Sequence, residues 1–149
     1  MLKIREANKE DLETIANFQL AMARETESLE LDKPTVINGV NKILDDPSTG
    51  KYIIAEKENT VVASLLTLYE WSDWRNGQVI WIHSVYVLPQ YRKGGAFKAM
   101  YAHLKSVVEQ NGQYKGLRLF VDKTNATARK VYESLGMNGE HYALYEWMK

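Results

Sequence analysis

The residues best suited to chemistry lie in VYVLPQYRKGGAFKAMYAHL (85–104), between an apolar alternating run and an amphipathic one. Arg92 and Lys93 bring positive charge, while Gly94 and Gly95 remove side chains where another group could approach the backbone. A helix that begins directly after these glycines adds N–H groups without partners inside the helix and the positive end of its dipole. The stretch is typical of a pyrophosphate-binding turn, with a solvated glycine turn as the alternative.

The loop pattern and the composition disfavour or exclude several other functions. The loop is neither G-x-x-x-x-G-K nor G-x-G-x-x-G, which disfavours triphosphatases and dinucleotide enzymes. A formal net charge of +0 disfavours bulk binding to nucleic acid or membranes. The chain has no cysteine, which excludes disulfides, thiolate nucleophiles and cysteine metal sites. It also has no signal-peptide core and no run of transmembrane length. We expect a soluble, cytoplasmic protein without a metal.

Capping residues and proline mark the helices that must position the loop. Asn8 is placed to cap a first helix, and Pro34 suits the first turn of a second. Gly136 is placed to end a short last helix. Apolar residues at helical spacing then predict helices over 9–26, from Pro34 to the segment DDPSTG, over 97–110 and in NATARKVYESLGM.

Alternating and β-branched runs mark the strands. The dipeptide EN (58–59) and the pair Asn76-Gly77 are hairpin signals between the longest runs. Strands are predicted over 2–6, in KYIIAEK, in TVVASLLTLYEW, over 78–88, in GLRLFVDK and in EHYALYEWMK. The order β-α-α-β-β-β-α-β-α-β predicts an α/β (α+β) fold, with a mixed central sheet of about six to seven strands and helices on both faces. A length of 149 residues fits a single domain, 1–149.

Two motifs together resemble the GNAT superfamily of acetyl-CoA-dependent N-acetyltransferases. SVYVLPQYRKGGAFKAMY follows that family's strand and its R/Q-x-x-G-x-G/A loop, with Arg92, Gly95 and then Phe97 where the family has a small residue. The family's second pattern, N-x-x-A-x-x-x-Y-x-x-x-G, is matched by Asn125, Ala128, Tyr132 and Gly136. The order of elements over residues 2–148 agrees as well, so the resemblance covers nearly the whole chain.

The resemblance implies acetyl-CoA as cosubstrate. The backbone of Val85 and Val87 would then hold the pantetheine arm, and the N–H groups of the loop would hold the pyrophosphate, with Lys93 or Lys98 reaching a phosphate. Asn125 would bond near the pantetheine or merely cap its helix. The implied cofactor-binding set is Val85, Tyr86, Val87, Arg92, Lys93, Gly94, Gly95, Ala96, Phe97, Asn125 and Ala128.

The reaction implied is the attack of an amine on a thioester. Tyr132 stands at the family's position for a proton donor to the leaving thiolate; the alternative is a core tyrosine. Some members carry a glutamate base four residues before the first strand valine, where this chain has Trp81. His83, on the predicted strand face of Trp81 and Val85, could replace that base, although a structural histidine is the commoner case. A water chain from Glu70 or Asp73 is a further alternative.

Acidic and aromatic residues mark the segments that line the acceptor site in this family. As a group they favour a cationic acceptor such as a polyamine, an amino sugar or a peptide lysine; singly, each is more often a solvated surface residue. The predicted substrate-binding set is Glu27, Glu70, Asp73 and Trp74, drawn from a wider group with Glu25, Glu30 and Trp71. A non-catalytic acyl-CoA sensor remains the alternative function, and a homodimer through the final strands is plausible.

Overall fold

The computed structural model describes all residues, Met1–Lys149. The chain forms two compact units, Met1–Leu119 and Phe120–Lys149. Short 3-10 turns precede α1 and α3, at Lys9–Asp11 and Pro89–Tyr91. The strands and α-helices are β1 (Leu2–Glu6), α1 (Leu12–Glu27), α2 (Lys33–Asp45), β2 (Gly50–Lys57), β3 (Thr60–Ser72), β4 (Gly77–Val87), α3 (Ala96–Gln110), β5 (Tyr114–Leu119) and α4 (Ala126–Ser134).

Side chains cap the first two helical segments, and the cap at Asn8 was predicted. The side-chain oxygen of Asn8 accepts from the Glu10 N–H at 2.9 Å, and the Asn8 N–H donates to Asp11 at 2.8 Å. These two bonds satisfy N–H groups that the helix start leaves without partners. The helix predicted from Pro34 begins at Lys33, and the Asp32 carboxylate caps it. Local capping therefore fixes where the chain turns into both helices.

The first unit is built on one five-stranded sheet in the order β1-β2-β3-β4-β5. β1 to β4 are antiparallel neighbours, and β5 runs parallel to β4 after the crossover through α3. Glu58 and Asn59 both have positive φ, which gives the β2–β3 turn the twist that a two-residue hairpin needs. The predicted EN turn is thus confirmed.

The sheet has helices on both faces, as predicted. α1 and α2 cover one face, where Ile15 and Val40 pack against Tyr52 and Ile54. The alternate β2 residues Ile53 and Ala55 point to the other face and are also buried. α3, which contacts β1 to β5, supplies the buried Met100 and Leu104 of the first unit.

The sheet has five strands rather than six to seven, because the segment over 140–149 forms no strand. Its apolar side chains stand at both odd and even positions, so the segment lacks the alternation that distinguishes two strand faces. β5 also ends at Leu119, before the predicted limit. Shortly after, the Asp122 carboxylate accepts from the Thr124 N–H at 2.8 Å. This bond makes a local turn, so the chain does not continue the hydrogen-bond ladder of β5.

A partly buried ion cluster joins β1, β2 and the turn before α1. Arg5 donates to Asp11 at 2.9 Å and to Glu56 at 2.6 Å. Burial alone would raise the pKa of the Asp11 carboxyl, but the hydrogen bonds from Arg5 and from the Asn8 N–H outweigh it, and the net pKa is lowered. A lowered pKa means that the folded state favours the ionised carboxylate.

We expect Arg5→Met to lower the free energy of unfolding by about 2–3 kcal/mol at neutral pH, because Asp11 is left buried without its partner. The contribution of Asp11 is present above its unfolded pKa of about 3.9 and is lost as pH falls through its folded pKa. Urea unfolding in a pH series should therefore show a shallower acid loss in Arg5→Met. A parallel pH dependence in both proteins would contradict this.

Candidate active site

β4 contains a bulge directly before the stretch VYV. Ser84 has φ +52°, and the pairing with β3 shifts so that Ser84 and Val85 together lie opposite Leu65. Beyond the bulge Tyr86 pairs with Ser64, and its ring packs on Phe18 of α1 at 5.2 Å. The bulge thus reverses the alternation of side chains, and Tyr86, rather than Val85, shares the α1 face with His83. The expectation that His83 and Val85 share a face was wrong.

The bulge lies where β4 and β5 separate. Their parallel pairing runs from Gln78 to Ile82 of β4, and β4 continues to Val87 past the end of that ladder. The Leu88 N–H donates to Val62 of β3 at 2.9 Å. Because successive strand residues point their N–H and C=O groups to opposite edges, the backbone of Val87 points away from β3. This edge could hold the amides of an extended ligand.

The loop after β4 has the backbone form of an anion-binding turn. Lys93 has φ +64° and Gly95 has φ +82°, with Gly94 between them. Such alternation makes successive N–H groups converge. A Cβ on Gly94 would lie 3.1 Å from the Tyr91 carbonyl oxygen, a tight contact that favours glycine there.

No side chain caps the start of α3, where the sequence predicts an anion site. Asn8, Asp32 and Asn125 each cap a helical segment with a side-chain oxygen, whereas Gly95 is the N-cap of α3 and no side chain caps it. The first-turn N–H groups of α3 are thus left to a partner outside the helix. Phe97 stands where the family pattern has a small residue. It is half-buried, and its ring lies 6.2 Å from that of Tyr101, so its side chain packs along α3.

A groove lies on the side of the loop that faces β1 and β2. A groove of about 390 Å³ lies between the loop and the ends of β1 and β2, lined by Lys57, Val62 and Tyr91 among others. Since β1 and β2 stand on the opposite side of the sheet order from β5, this groove is distinct from the opening between β4 and β5.

Arg92 is not directed to solvent as an isolated cation. Its Nε donates to the Val87 carbonyl at 2.9 Å, and its Nη2 donates to Glu25 of α1 at 2.6 Å. The guanidinium also lies 5.5 Å from the centre of the Tyr86 ring. Sequence reasoning placed Glu25 with the substrate-side acids and missed this contact, because no local pattern links residues 67 positions apart.

His83 and Trp81 lie on one face of β4, with their ring centres 6.1 Å apart and nearly parallel. His83 is half-buried, and burial lowers the pKa of its imidazole below the ordinary value. The ring is therefore neutral at pH 7, which is the form that can accept a proton.

The substrate-side acids differ in their surroundings. Arg118 of β5 donates to Glu70 at 2.6 Å, so this carboxylate already has a cationic partner. Glu27, at the end of α1, and Asp73, in the β3–β4 turn, are exposed. Trp74 follows Asp73 and is 91% exposed. No group of histidine, cysteine, aspartate and glutamate side chains is arranged to hold a metal ion.

The second unit carries the other motif on α4. The Asn125 side-chain oxygen accepts from the Ala128 N–H at 3.0 Å, so Asn125 caps the helix and keeps its amide NH₂ as a donor. Burial raises the pKa of the Tyr132 phenol. Gly136, with φ +87°, ends the helix, and its N–H donates to Glu133 at 3.0 Å.

The family model of the acetyltransferase (GNAT) family matches residues 10–137, which span both units. The chain therefore belongs to the GNAT acetyltransferase family, a class of acyltransferases. Its fold is that of the family, and no helix is both long and apolar enough to cross a membrane. No match to a curated protein was found.

Solved structures agree with this assignment. A possible acetyltransferase from Clostridium difficile 630 is 42% identical with a TM-score of 0.92, over 100% of this chain and 98% of that one. A ribosomal-protein-alanine N-acetyltransferase from Brucella melitensis biovar Abortus 2308 is 15% identical with a TM-score of 0.80, over 100% of both chains. A predicted acetyltransferase with acetyl-CoA from Clostridium acetobutylicum is 19% identical with a TM-score of 0.75, over 97% of this chain and 96% of that one. At their low identity, the last two show the fold alone.

Proposed function

We propose that the protein transfers the acetyl group of acetyl-CoA to the primary amine of a small molecule or peptide, and that residues 1–149 act as one domain. One observation carries the cofactor part of this proposal. The loop with two left-handed residues leads into α3, whose N-cap Gly95 offers no capping side chain, in a chain of the GNAT family. That start supplies donors for an anion such as a pyrophosphate.

The residues present fit acetyl-CoA. The backbone of Val85 and the N–H of Val87, at the end of β4, would bond the amides of the pantetheine arm, since the Val87 carbonyl already accepts from Arg92. Gly94, Gly95 and Ala96 would direct N–H groups to the pyrophosphate, with the exposed Lys93 close by in sequence. Asn125 and Ala128 complete the proposed binding set through the family motif. The thioester supplies the activated acetyl group; the protein's part is to hold it and to move protons.

Tyr132 is the proposed donor to the departing sulfur. Burial raises the pKa of its phenol above the ordinary value of about 10, so the hydroxyl is protonated at neutral pH. A thiol ionises near pH 8.5, so the phenol holds its proton more tightly than the departing sulfur does. We therefore assign Tyr132 a hydrogen bond to the developing thiolate rather than complete proton transfer.

His83 is the proposed acceptor of the proton that the attacking amine loses. An ordinary aliphatic amine, with a pKa of about 10.4, is mostly protonated at neutral pH and must lose a proton before or during attack. The neutral imidazole of His83 can take that proton. The water-chain alternative is weaker for Glu70, since Arg118 already pairs with it; Asp73 keeps that alternative open.

A pH profile tests this role. With a weakly basic acceptor, kcat/KM of the unchanged protein should rise with pH through a pKa below 6.5, because burial lowers the pKa of His83 and only the neutral ring accepts a proton. His83→Gln should lower kcat/KM at neutral pH by about 10²-fold and remove this acidic limb. An identical limb in the variant would assign the base elsewhere.

The acceptor class follows from the exposed acids. Glu27 and Asp73 present negative charge, and Trp74 presents an exposed ring for a cation–π contact. We therefore favour a cationic amine: a polyamine, an amino sugar or a peptide lysine. Glu70 contributes less net attraction, because Arg118 offsets its charge.

The second candidate is an acyl-CoA sensor without turnover. It is favoured by Trp81, which stands where some family members have their glutamate base. Incubation with acetyl-CoA and a panel of cationic, neutral and anionic amines, followed by thiol release, separates the two. We expect release with cationic amines above the rate without acceptor. Tight CoA binding without release on any amine would support the sensor, and release confined to neutral or anionic amines would overturn the acceptor class.

The cytoplasmic location and the homodimer stay predictions. The segment over 140–149, which was predicted to form a dimer through a strand, contains no strand. It nevertheless exposes large apolar side chains: Tyr145 is 95% exposed and Trp147 is 86% exposed. The outer edge of β5 has no neighbouring strand in the sheet. An unpaired strand edge and an exposed apolar segment are both features that favour self-association.

A further inference from the structure

One carboxylate connects α1 to both parts of the cofactor-binding region in the first unit. The Tyr86 hydroxyl donates to one oxygen of Glu25 at 2.5 Å, and Arg92 Nη2 donates to the other at 2.6 Å. Tyr86 belongs to the bulged end of β4, and Arg92 begins the glycine loop. Glu25 thus contacts the strand and the loop at the same time.

The contacts fix the guanidinium from three directions. Arg92 Nε donates to the Val87 carbonyl at 2.9 Å, Glu25 holds Nη2, and the ring of Tyr86 lies 5.5 Å away. The Tyr86 ring is in turn packed on Phe18 of α1. A planar guanidinium can meet all of these partners at once, whereas a lysine ammonium cannot reproduce the fork.

The charges are consistent with this arrangement. Hydrogen bonds from Tyr86 and then from Arg92 lower the pKa of the Glu25 carboxyl, so it is ionised at neutral pH. Burial and the hydrogen bond to Glu25 raise the pKa of Tyr86, so its hydroxyl keeps the proton that it donates. The three groups form a stable set of donors and acceptor at the pH of catalysis.

We propose that Glu25 is a positioning residue for the pyrophosphate loop: it holds Arg92 as a clamp on the end of β4, and Arg92 thereby fixes the loop backbone rather than serving mainly as a charge for the phosphates. This inference rests on the proposed function, since it concerns the same cofactor. It assigns Arg92 a different task from the one expected from sequence, which was to supply positive charge for an anion. The loop N–H groups then hold the anion.

The direction in which Glu25→Gln changes the Kd of CoA distinguishes a positioning role from a purely electrostatic one. Glu25→Gln removes a negative charge close to the site for an anionic cofactor, which by electrostatics alone would tighten CoA binding. A clamp predicts the opposite, because the amide holds the guanidinium less well and the loop loses its fixed form. We expect the Kd of CoA to rise about fivefold to tenfold, a value reduced for the partial exposure of the pair.

The test measures the Kd of CoA by titration calorimetry for Glu25→Gln, Arg92→Lys and the double variant. The clamp predicts that each single change weakens binding and that the double variant is no weaker than the worse single one. Arg92→Lys keeps the charge, so an effect of charge alone predicts little loss of affinity there. With acetyl-CoA as the varied substrate, KM should rise in Glu25→Gln while kcat is retained.

A matched control removes the same charge elsewhere on α1. Glu13 pairs with Lys33 at 3.0 Å on an exposed surface, and Glu13→Gln should leave the Kd of CoA unchanged. An unchanged or lower Kd in Glu25→Gln, with a melting temperature like that of the control, would overturn the clamp. Absence of CoA binding by the unchanged protein would instead overturn the proposed function, so the two failures are distinguishable.

Discussion

Tyr132→Phe is expected to lower kcat by about 10²-fold or more while leaving the Kd of CoA within about twofold, because one positioned hydrogen-bond donor to a developing negative charge contributes roughly 10²–10³-fold. The substitution removes only the hydroxyl and keeps the ring, so the packing of α4 is retained. Steady-state kinetics with a cationic acceptor, together with calorimetric titration of CoA, give both values.

Tyr142→Phe is the matched control, because Tyr142 is 86% exposed and lies outside both motifs. It should leave kcat unchanged. Full turnover in Tyr132→Phe with intact binding would remove the hydrogen-bond donor role of Tyr132. A large rise in the Kd of CoA without a fall in kcat would assign Tyr132 to binding instead.

Gly95→Val is expected to raise the Kd of CoA by about 10²-fold, equivalent to the loss of one or two hydrogen bonds to a charged group. A β-branched residue at φ +82° is strained, so the backbone should rotate and turn the first N–H groups of α3 away from their common target. A Cβ at this position meets no atom within 4 Å, so the loss comes from the backbone and not from a clash in the core.

Gly112→Val is the control for Gly95→Val. Gly112 lies in the turn between α3 and β5, does not have positive φ, and also leaves room for a Cβ. It should change neither the Kd of CoA nor the melting temperature by much. Equal affinities in the two variants would mean that the loop is a glycine turn without a binding role. Together, Gly95→Val and Tyr132→Phe distinguish the contribution of the loop to CoA binding from the contribution of Tyr132 to the chemical step.

Sequence alone predicted the features that depend on local patterns. The cap at Asn8, the proline at the start of α2 and the turn at Glu58–Asn59 each act within a few residues, and each is confirmed. The family match confirms the GNAT resemblance that the two motifs carry, and with it acetyl transfer as the general activity. The roles of single site residues stay predictions.

Features that depend on distant partners were not predicted. The bulge at Ser84 is set by the pairing of β4 with β3, and serine in a strand gives no warning of a positive φ. The contacts of Glu25 and Arg118 join residues from separate elements. The final segment has strand-forming residues, but β-propensity expresses packing on neighbours and does not by itself make a strand.

The central claim is that this chain moves an acetyl group onto an amine nitrogen. The most direct measurement uses acetyl-CoA with a carbon-13-labelled acetyl group and the cationic amines of the panel, with the product observed by NMR and mass spectrometry. We predict an amide that carries the label, formed in amounts equal to the thiol released. Binding of CoA with no labelled amide on any amine, or thiol release without it, would contradict the claim.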